Sequence, residues 1–589
     1  MKKQFIKLAL ASTMLWLPLQ VNMAFAAMTL QEAERVIDVC EGEEEEVDTK
    51  KLEEAIALYK AQAEKGNVEK QLKLGELYHN EICVVANDDG KQAIFWLTKA
   101  ANQGNVTAQN HLGELYYALE DYKNAVLWYG KAAEKNDRDA ILNLAILYTK
   151  GANVSQDKAR ATALFNQYVR NGQASDLTYI GNLFAEGIQV PQDFLEALAW
   201  YQRAEKQGDH QASYQIATFY AYGQGVKKDN KQASIWFNKW AEKGTLEDKM
   251  NLARMYRDGN IVEADEAQAF ALYLKGEALG DSEAINNVGW FYQEGKAVAQ
   301  DNAQALARFR KTAALNDGYG LYQVGWFYEK GLSVPVDDTE ALKWYRKAAA
   351  VGDIDGQYKV GWFYDNGKVV AEDSKKAFAW IARAAMQGSS DAQTYLGWMY
   401  EEGRGVEIND KKLSDKKALI WYRKAANQKN VTGQYNLALM YANGNGVKKN
   451  DIKANLWYLL AAAKNDMDAQ YNLASRYEEG QGFEVNHDRA IALYRKAAAK
   501  GHASAQNNLA LKYETGEGVK KSAILAYALY DVSAANEVTT EANAPENLAQ
   551  IGRSMGKEDI VIALQLAAEM KKPDNLLKAL DTFIAKSAY

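Results

Sequence analysis

Apolar positions along this 589-residue chain fall into two alternating patterns. The first carries a segment seen as "LGELY", "IATFY" or "VGWFY". The second reads "AxxWYxKAAxxG", as in "ALAWYQRAEKQG" ending at Gly208 and "ALKWYRKAAAVG" ending at Gly352. In both, apolar residues recur three and four positions apart, which is one face of an α-helix. The first pattern closes on a glycine, such as Gly223, Gly295 or Gly444. Glycine there permits the left-handed cap that ends a helix. A short loop such as "GQGVKKD" at 223–229 leads into the second pattern. Each pair of patterns thus predicts two short helices. One pair cannot bury its apolar faces alone, whereas stacked neighbours can.

The pair recurs. Its small residue stands at Gly75, Gly113, Ala145, Gly181, Ala217, Ala253, Gly289, Gly325, Gly361, Gly397, Ala438, Ala474 and Ala510. Nine of the twelve intervals are 36 residues; the others are 38, 32 and 41. Self-similarity at such a period is the mark of a repeat array. The expected fold is an all-α solenoid of about thirteen helix–turn–helix repeats with capping helices at both ends. The expected boundaries are a leader at 1–26, an N-terminal capping unit at 27–66, the array at 67–536 and closing helices at 537–589. The unit from Leu112 replaces the glycine loop with "YYALEDYKNA". The unit from Leu396 carries five extra residues within "GVEINDKKLSDKKA", which read as a solvated loop.

The pattern "LGxxYxxGxGVxxDxxxAxxWYxKAAxxG" resembles Sel-one-like repeats, relatives of tetratricopeptide repeats. "EGIQVPQDFLEALAWYQRAEKQG" and "YGQGVKKDNKQASIWFNKWAEKG" carry the likeness, which spans residues 50 to 536. The resemblance implies a right-handed superhelix of antiparallel helix pairs. It also implies protein binding as the usual role, with the first helices lining the concave surface.

Four consecutive units place tryptophan at one position: Trp290, Trp326, Trp362 and Trp398. At about 100° per residue, the leucine or valine, phenylalanine and tyrosine of "VGWFY" share one side of the helix and the tryptophan points away. Other units hold Glu76, Glu114, Asn182 or Arg254 at that place, which does not suit a core. A ladder of indoles on the concave surface is expected, extended by Tyr322 and Tyr358 and flanked by Glu294 and Glu402. Aromatic groups with a polar rim are typical of binding surfaces. Such a ladder suits a basic or proline-rich peptide, or a sugar ring stacked on indole. The competing reading makes the indoles packing between repeats. Tryptophans of the second helices, such as Trp96, Trp128, Trp200, Trp236, Trp344, Trp380, Trp421 and Trp457, are expected in the core.

Composition narrows the class. Hydrophobic residues make up 48% and charged residues 25%, which argues against disorder. The formal net charge is −7, and no basic stripe marks a nucleic-acid surface. Lys2, Lys3 and Lys7, the apolar run "LALASTMLWLPL" and the small residues of "AFA" predict a secretory leader cleaved after Ala26. Periplasmic or secreted localisation is the expectation. No later run is long and apolar enough for a transmembrane helix. The two cysteines, Cys40 and Cys83, are expected to pair in an oxidising compartment.

Catalytic signals are weak. None of the five histidines forms a metal-ligand spacing, although His79 and His111 lie in adjacent units. Some secreted proteins of the resembling type have been described as penicillin-binding or β-lactamase-like, chemistry that needs SxxK. "SQDK" at Ser155, "SDKK" at Ser414 and "SMGK" at Ser554 match, the first two in expected loops, and the SDN and KTG partners are missing. No catalytic residue, metal or cofactor is assigned. The expected function is a non-enzymatic interaction scaffold of the bacterial envelope or secreted space. Its expected partner, held on the concave face, is an envelope or host protein. A secreted host-factor-binding virulence protein or a glycan or peptidoglycan receptor is the alternative, and a β-lactamase-like or wall-peptide hydrolase is a further one.

Overall fold

The computed structural model describes residues 28–41, 48–80, 83, 90–151, 156–170, 172–536 and 543–586. The expected leader and most of the acidic tract "EGEEEEVD" lie outside them, as does Ser155. Every regular element among the described residues is an α-helix. The helices pair as the sequence predicts: Gly318–Lys330 packs against Asp338–Ala350, and Ser390–Glu402 against Lys411–Asn427. The fold is an α-solenoid. Contacts divide the chain into two compact units, up to Asp265 and from Glu266 onward.

Caps explain the sharp repeat boundaries. Each first helix typically starts on an aspartate or asparagine whose side chain accepts from an amide three residues on. Asp281 takes Ala284 N at 2.7 Å, and Asp317 takes Gly320 N at 2.8 Å. The same helices end on left-handed glycines, Gly223 at φ 74°, Gly295 at 66° and Gly444 at 80°. The loop then returns a backbone bond, as from Asp337 N to the Tyr328 carbonyl at 3.0 Å.

Three residues after the cap comes alanine or glycine, often followed by glutamine. Ala108, Ala392, Ala469 and Ala505 are fully buried there. A Cβ added to Gly356 would lie 2.7 Å from Ala348 Cβ and 2.9 Å from Ala349 N, so at this repeat even alanine would force the preceding helix to shift. The glutamine donates back across this contact. Gln393 Nε2 reaches the Ala385 carbonyl at 3.1 Å, and Gln506 reaches the Ala498 carbonyl at 2.9 Å. Where both are present, the small residue and one buried hydrogen bond clamp a repeat to the one before; Ala140, Ala212, Ala284 and Gly320, followed by Ile141, Ser213, Ile285 and Leu321, make the close contact without the glutamine.

Two junctions replace the small residue with a carboxylate. Asp176 and Asp248 stand at the small position, where each completes a capping box with Gln173 or Thr245. A carboxylate cannot enter the close helix contact without losing its solvation. Lys158–Val169 and Ala174–Glu186 accordingly pack far more sparsely than other successive repeats, as do Asn230–Lys243 and Leu246–Asp258.

Several expectations need correction. The extra residues after Gly405 are not a loop: Asp410 caps a 17-residue helix, Lys411–Asn427, one turn longer than its counterparts. Ser414 therefore sits in that helix, buried, with its hydroxyl donating to the Tyr400 carbonyl. Of the eight second-helix tryptophans named above, Trp96, Trp128 and Trp200 are buried and the other five half-buried; a ninth, Trp240, is buried as well. In most units the next residue goes deepest, as with Tyr345, Tyr422 and Tyr458, while the indole lies under a cation. Charged residues also enter the packed side: Arg476 and Lys512 occupy the phenylalanine position of "VGWFY" and are buried. Arg476 bonds Asn455 and Asp451, and Lys512 bonds Glu478 and Glu517, so each charge is compensated.

Both ends are closed. Leu30–Glu41 packs on Thr49–Glu64, and Glu34 accepts from Lys70 at 2.6 Å. The sulfurs of Cys40 and Cys83 are joined across 43 residues, tying the first helix to the loop after Val68–His79. At the other end Ala544–Gly552 and Lys557–Met570 cover Ala523–Asn536, and Asp581 pairs with Arg495.

Candidate functional site

Trp290, Trp326, Trp362 and Trp398 lie on the first helices Ser282–Glu294, Gly318–Lys330, Ile354–Asp365 and Ser390–Glu402. All four are half-buried. Each meets an aromatic edge of its own helix. Trp290, Trp326 and Trp362 touch the following phenylalanine at 5.1, 5.5 and 5.4 Å, and Trp398 touches Tyr395 at 5.2 Å. Trp326 packs against the core of its own repeat and against that of the next. Trp398 does the same. The outward phase holds, but neighbouring first helices are close enough to cover part of each ring. Packing and exposure are therefore shared by the same side chains.

Cations stand over three of the indoles: Lys296 at 5.0 Å from Trp290, Lys359 and Lys368 at 5.7 and 5.8 Å from Trp362, and Arg404 at 5.6 Å from Trp398. Tyr322 and Tyr358 are half-buried rather than open. Tyr322 lies against Tyr345 at 5.5 Å, and Tyr358 meets Tyr395 edge-on at 6.0 Å. Burial pushes the Tyr358 hydroxyl up to about 12. Glu294 and Glu402 are exposed at the helix ends.

The family-model comparison decides the class. The Sel1 repeat model matches thirteen times in succession, from residues 71–105 to 503–537. The chain belongs to the Sel1 repeat family. Sel1 repeat proteins generally mediate protein–protein interaction and are generally non-catalytic. Among solved structures, a protective antigen of uropathogenic Escherichia coli strains displaying an SLR fold is 27% identical over 78% of this chain and 97% of its own, with a TM-score of 0.47. A Sel1 repeat protein of Oxalobacter formigenes is 28% identical over 44% of this chain and all of its own, at a TM-score of 0.39. No curated protein gives a significant match.

Beside the ladder, these Sel1 repeats carry a second row that the sequence reading passed over. After the tyrosine of the four tryptophan segments come Gln293 and then Glu329, Asp365 and Glu401, and the row of acids resumes at Glu478 and Glu514. Each acid takes a tyrosine hydroxyl, from a buried ring except for the half-buried Tyr395. Tyr345 donates to Glu329 at 2.5 Å, Tyr395 to Asp365 at 2.6 Å and Tyr422 to Glu401 at 2.8 Å. Lys359 adds a bond to Glu329 at 2.9 Å, and Arg404 adds two to the Asp365 carboxylate at 3.1 Å. Burial pushes the Glu329 carboxyl up. The bonds from Tyr345 and Lys359 and the lysine charge outweigh this and hold it below its ordinary value. The signal was legible as an acid at one fixed offset from the tyrosine.

The two helix layers of the second unit differ in charge and spacing. Its first helices, between residues 282 and 515, carry twelve Asp and Glu against four Lys and Arg. Its second helices, between 266 and 536, carry twenty Lys and Arg against eight Asp and Glu. Successive first helices also touch one another directly, as Gly318–Lys330 touches Ile354–Asp365, more than successive second helices do. The first helices thus form the closely spaced inner layer of this Sel1 array, and that layer is acidic. His79 and His111 do approach in the first unit, with stacked rings 6.2 Å apart, but no metal-ligating cluster exists among the described residues. No described helix is long and apolar enough to cross a membrane.

Proposed function

We propose that this protein is a non-enzymatic scaffold that holds an extended, basic segment of a partner protein along the inner layer of its second unit. The carrying observation is the set of four half-exposed indoles beside an acidic row on first helices that are themselves net acidic. Indole faces attract lysine and arginine, and the acids complement their charge. The internal cations at Lys359 and Arg404 already demonstrate the geometry: each lies within reach of an indole and a carboxylate. The leader-like N-terminus and the joined cysteines support an exported protein, periplasmic or secreted. Partners are then envelope proteins, or host proteins if the molecule is released.

The test is partner capture by the purified protein, from envelope extract and from a peptide array spanning basic, proline-rich and acidic segments. W326A/W362A should lose capture of basic segments while keeping its helical signal. Capture that survives this change refutes the ladder as the site. Selective retention of glycan strands instead assigns the ladder to sugar stacking. Turnover of a chromogenic β-lactam that vanishes on replacing one serine refutes the non-enzymatic reading.

A further inference from the structure

The outer layer holds a feature that the scaffold reading does not use. Of the nine second-helix tryptophans, eight have Lys or Arg three residues on. In most of these that cation covers the indole, as Lys347 does over Trp344 at 4.0 Å, Arg383 over Trp380 at 4.7 Å and Lys424 over Trp421 at 4.2 Å. Trp457 is the exception. Its third residue is Leu460, and the place before it, arginine in the "WYRKAA" units, is Leu459.

The helix Asp451–Ala463 consequently turns a leucine-rich face outward. Ile452 is 67% exposed, Leu456 56%, Leu459 39% and Leu460 49%. These four fall at offsets of four, seven and eight residues, so they form one stripe. The preceding second helix, Lys411–Asn427, continues it with exposed Ile420. Cations outnumber acids around this apolar crest. Exposed Lys416, Arg423 and Lys424 share the outer face of Lys411–Asn427 with Ile420, and Lys453 and Lys464 flank the leucines. Residues 405–466 contain eleven Lys and Arg against five Asp and Glu, within a chain whose net charge is −7.

An apolar stripe rimmed by lysine and arginine is what an anionic bilayer surface recognises: aliphatic side chains enter the headgroup boundary while the cations meet lipid phosphates. The crest is aliphatic and lacks the exposed aromatic anchors that dominate protein–protein hot spots. We infer that the outer face around Leu456 and Leu460 docks the protein onto an anionic lipid surface.

Flotation with vesicles tests this, using the full chain and lipid of two compositions: phosphatidylcholine alone, and phosphatidylcholine with about a third phosphatidylglycerol. The protein should float with the anionic vesicles and not with the neutral ones, and added salt should weaken the association. L456Q/L460Q changes only exposed side chains and leaves the charge intact. It should reduce flotation at least tenfold at an unchanged melting temperature. K416Q/R423Q/K424Q should do the same through charge. Absence of flotation on anionic vesicles overturns the inference, as does flotation indifferent to both variants. So does a crest whose leucine changes abolish self-association or binding to an acidic protein while vesicle binding persists. The ladder variant W326A/W362A should float normally, which separates this inference from the proposed function.

Discussion

The unclamped junction before Leu246–Asp258 can be repaired by design. T245D/D248A/K249Q writes the usual cap, small residue and glutamine into the place of Thr245, Asp248 and Lys249. Aspartate and threonine both serve as caps, but the exposed reciprocal bond from Thr245 N to Asp248 is lost, at about 0.5 kcal/mol. The bond from Lys249 to the Gly244 carbonyl at 2.6 Å is lost, and a glutamine bond to the preceding helix replaces it, about 1 kcal/mol each way. The new methyl group contributes about 0.8 kcal/mol when buried as at Ala392. Closing one helical turn of apolar contact adds about 1 kcal/mol. The local gain is then about 1–2 kcal/mol, roughly a 5- to 30-fold shift in the opening equilibrium. Amide exchange across residues 246–258, read by mass spectrometry, should slow by that factor, with residues 282–294 as the unaltered reference. Unchanged or faster exchange refutes the claim that Asp248 loosens the junction. The reverse change, A392D, places a carboxylate in an intact clamp and should destabilise by about 2–4 kcal/mol.

Three further outcomes follow from particular groups. W362A removes a half-buried indole and should cost about 2 kcal/mol, against about 3–5 kcal/mol for the buried Trp200, as read by thermal unfolding. Asp353 caps Ile354–Asp365, and burial raises its carboxyl to about 6 from 3.8. The folded state therefore holds a proton that the unfolded chain releases between those values, and this group's contribution weakens as pH rises through them. D353N keeps the cap acceptor and should stabilise by about 1 kcal/mol at pH 7, with solvent screening discounted, and by nothing near pH 3.5. Denatured, unreduced protein should present no reactive thiol, and reduction of the Cys40–Cys83 bond should lower the stability of the N-terminal end by about 2–4 kcal/mol.

Local chemistry made most of the fold readable. Periodicity gave the helix pairs, and glycine and aspartate gave their ends, because both signals act within a few residues. What escaped notice depended on partners far along the chain. Arg476 and Lys512 look misplaced until Asp451 and Glu478 arrive from other helices. The ladder's outward phase was readable from the helix alone, but its half-burial is set by the neighbouring repeat. Some signals were present and simply unread: the small–glutamine pair, its loss at Asp176 and Asp248, and the change from "WYRKAA" to "WYLLAA".

The opposed charges of the two helix layers carry a kinetic consequence. They give the second unit a dipole across its thickness. A molecule diffusing toward a charged body feels a torque as well as a pull, and turns before it touches. Toward a cationic segment the indole side leads; toward an anionic sheet the leucine side leads. Orientation at encounter is thus decided by the sign of what is met. Because salt screens both approaches, ionic strength should slow the two encounters together.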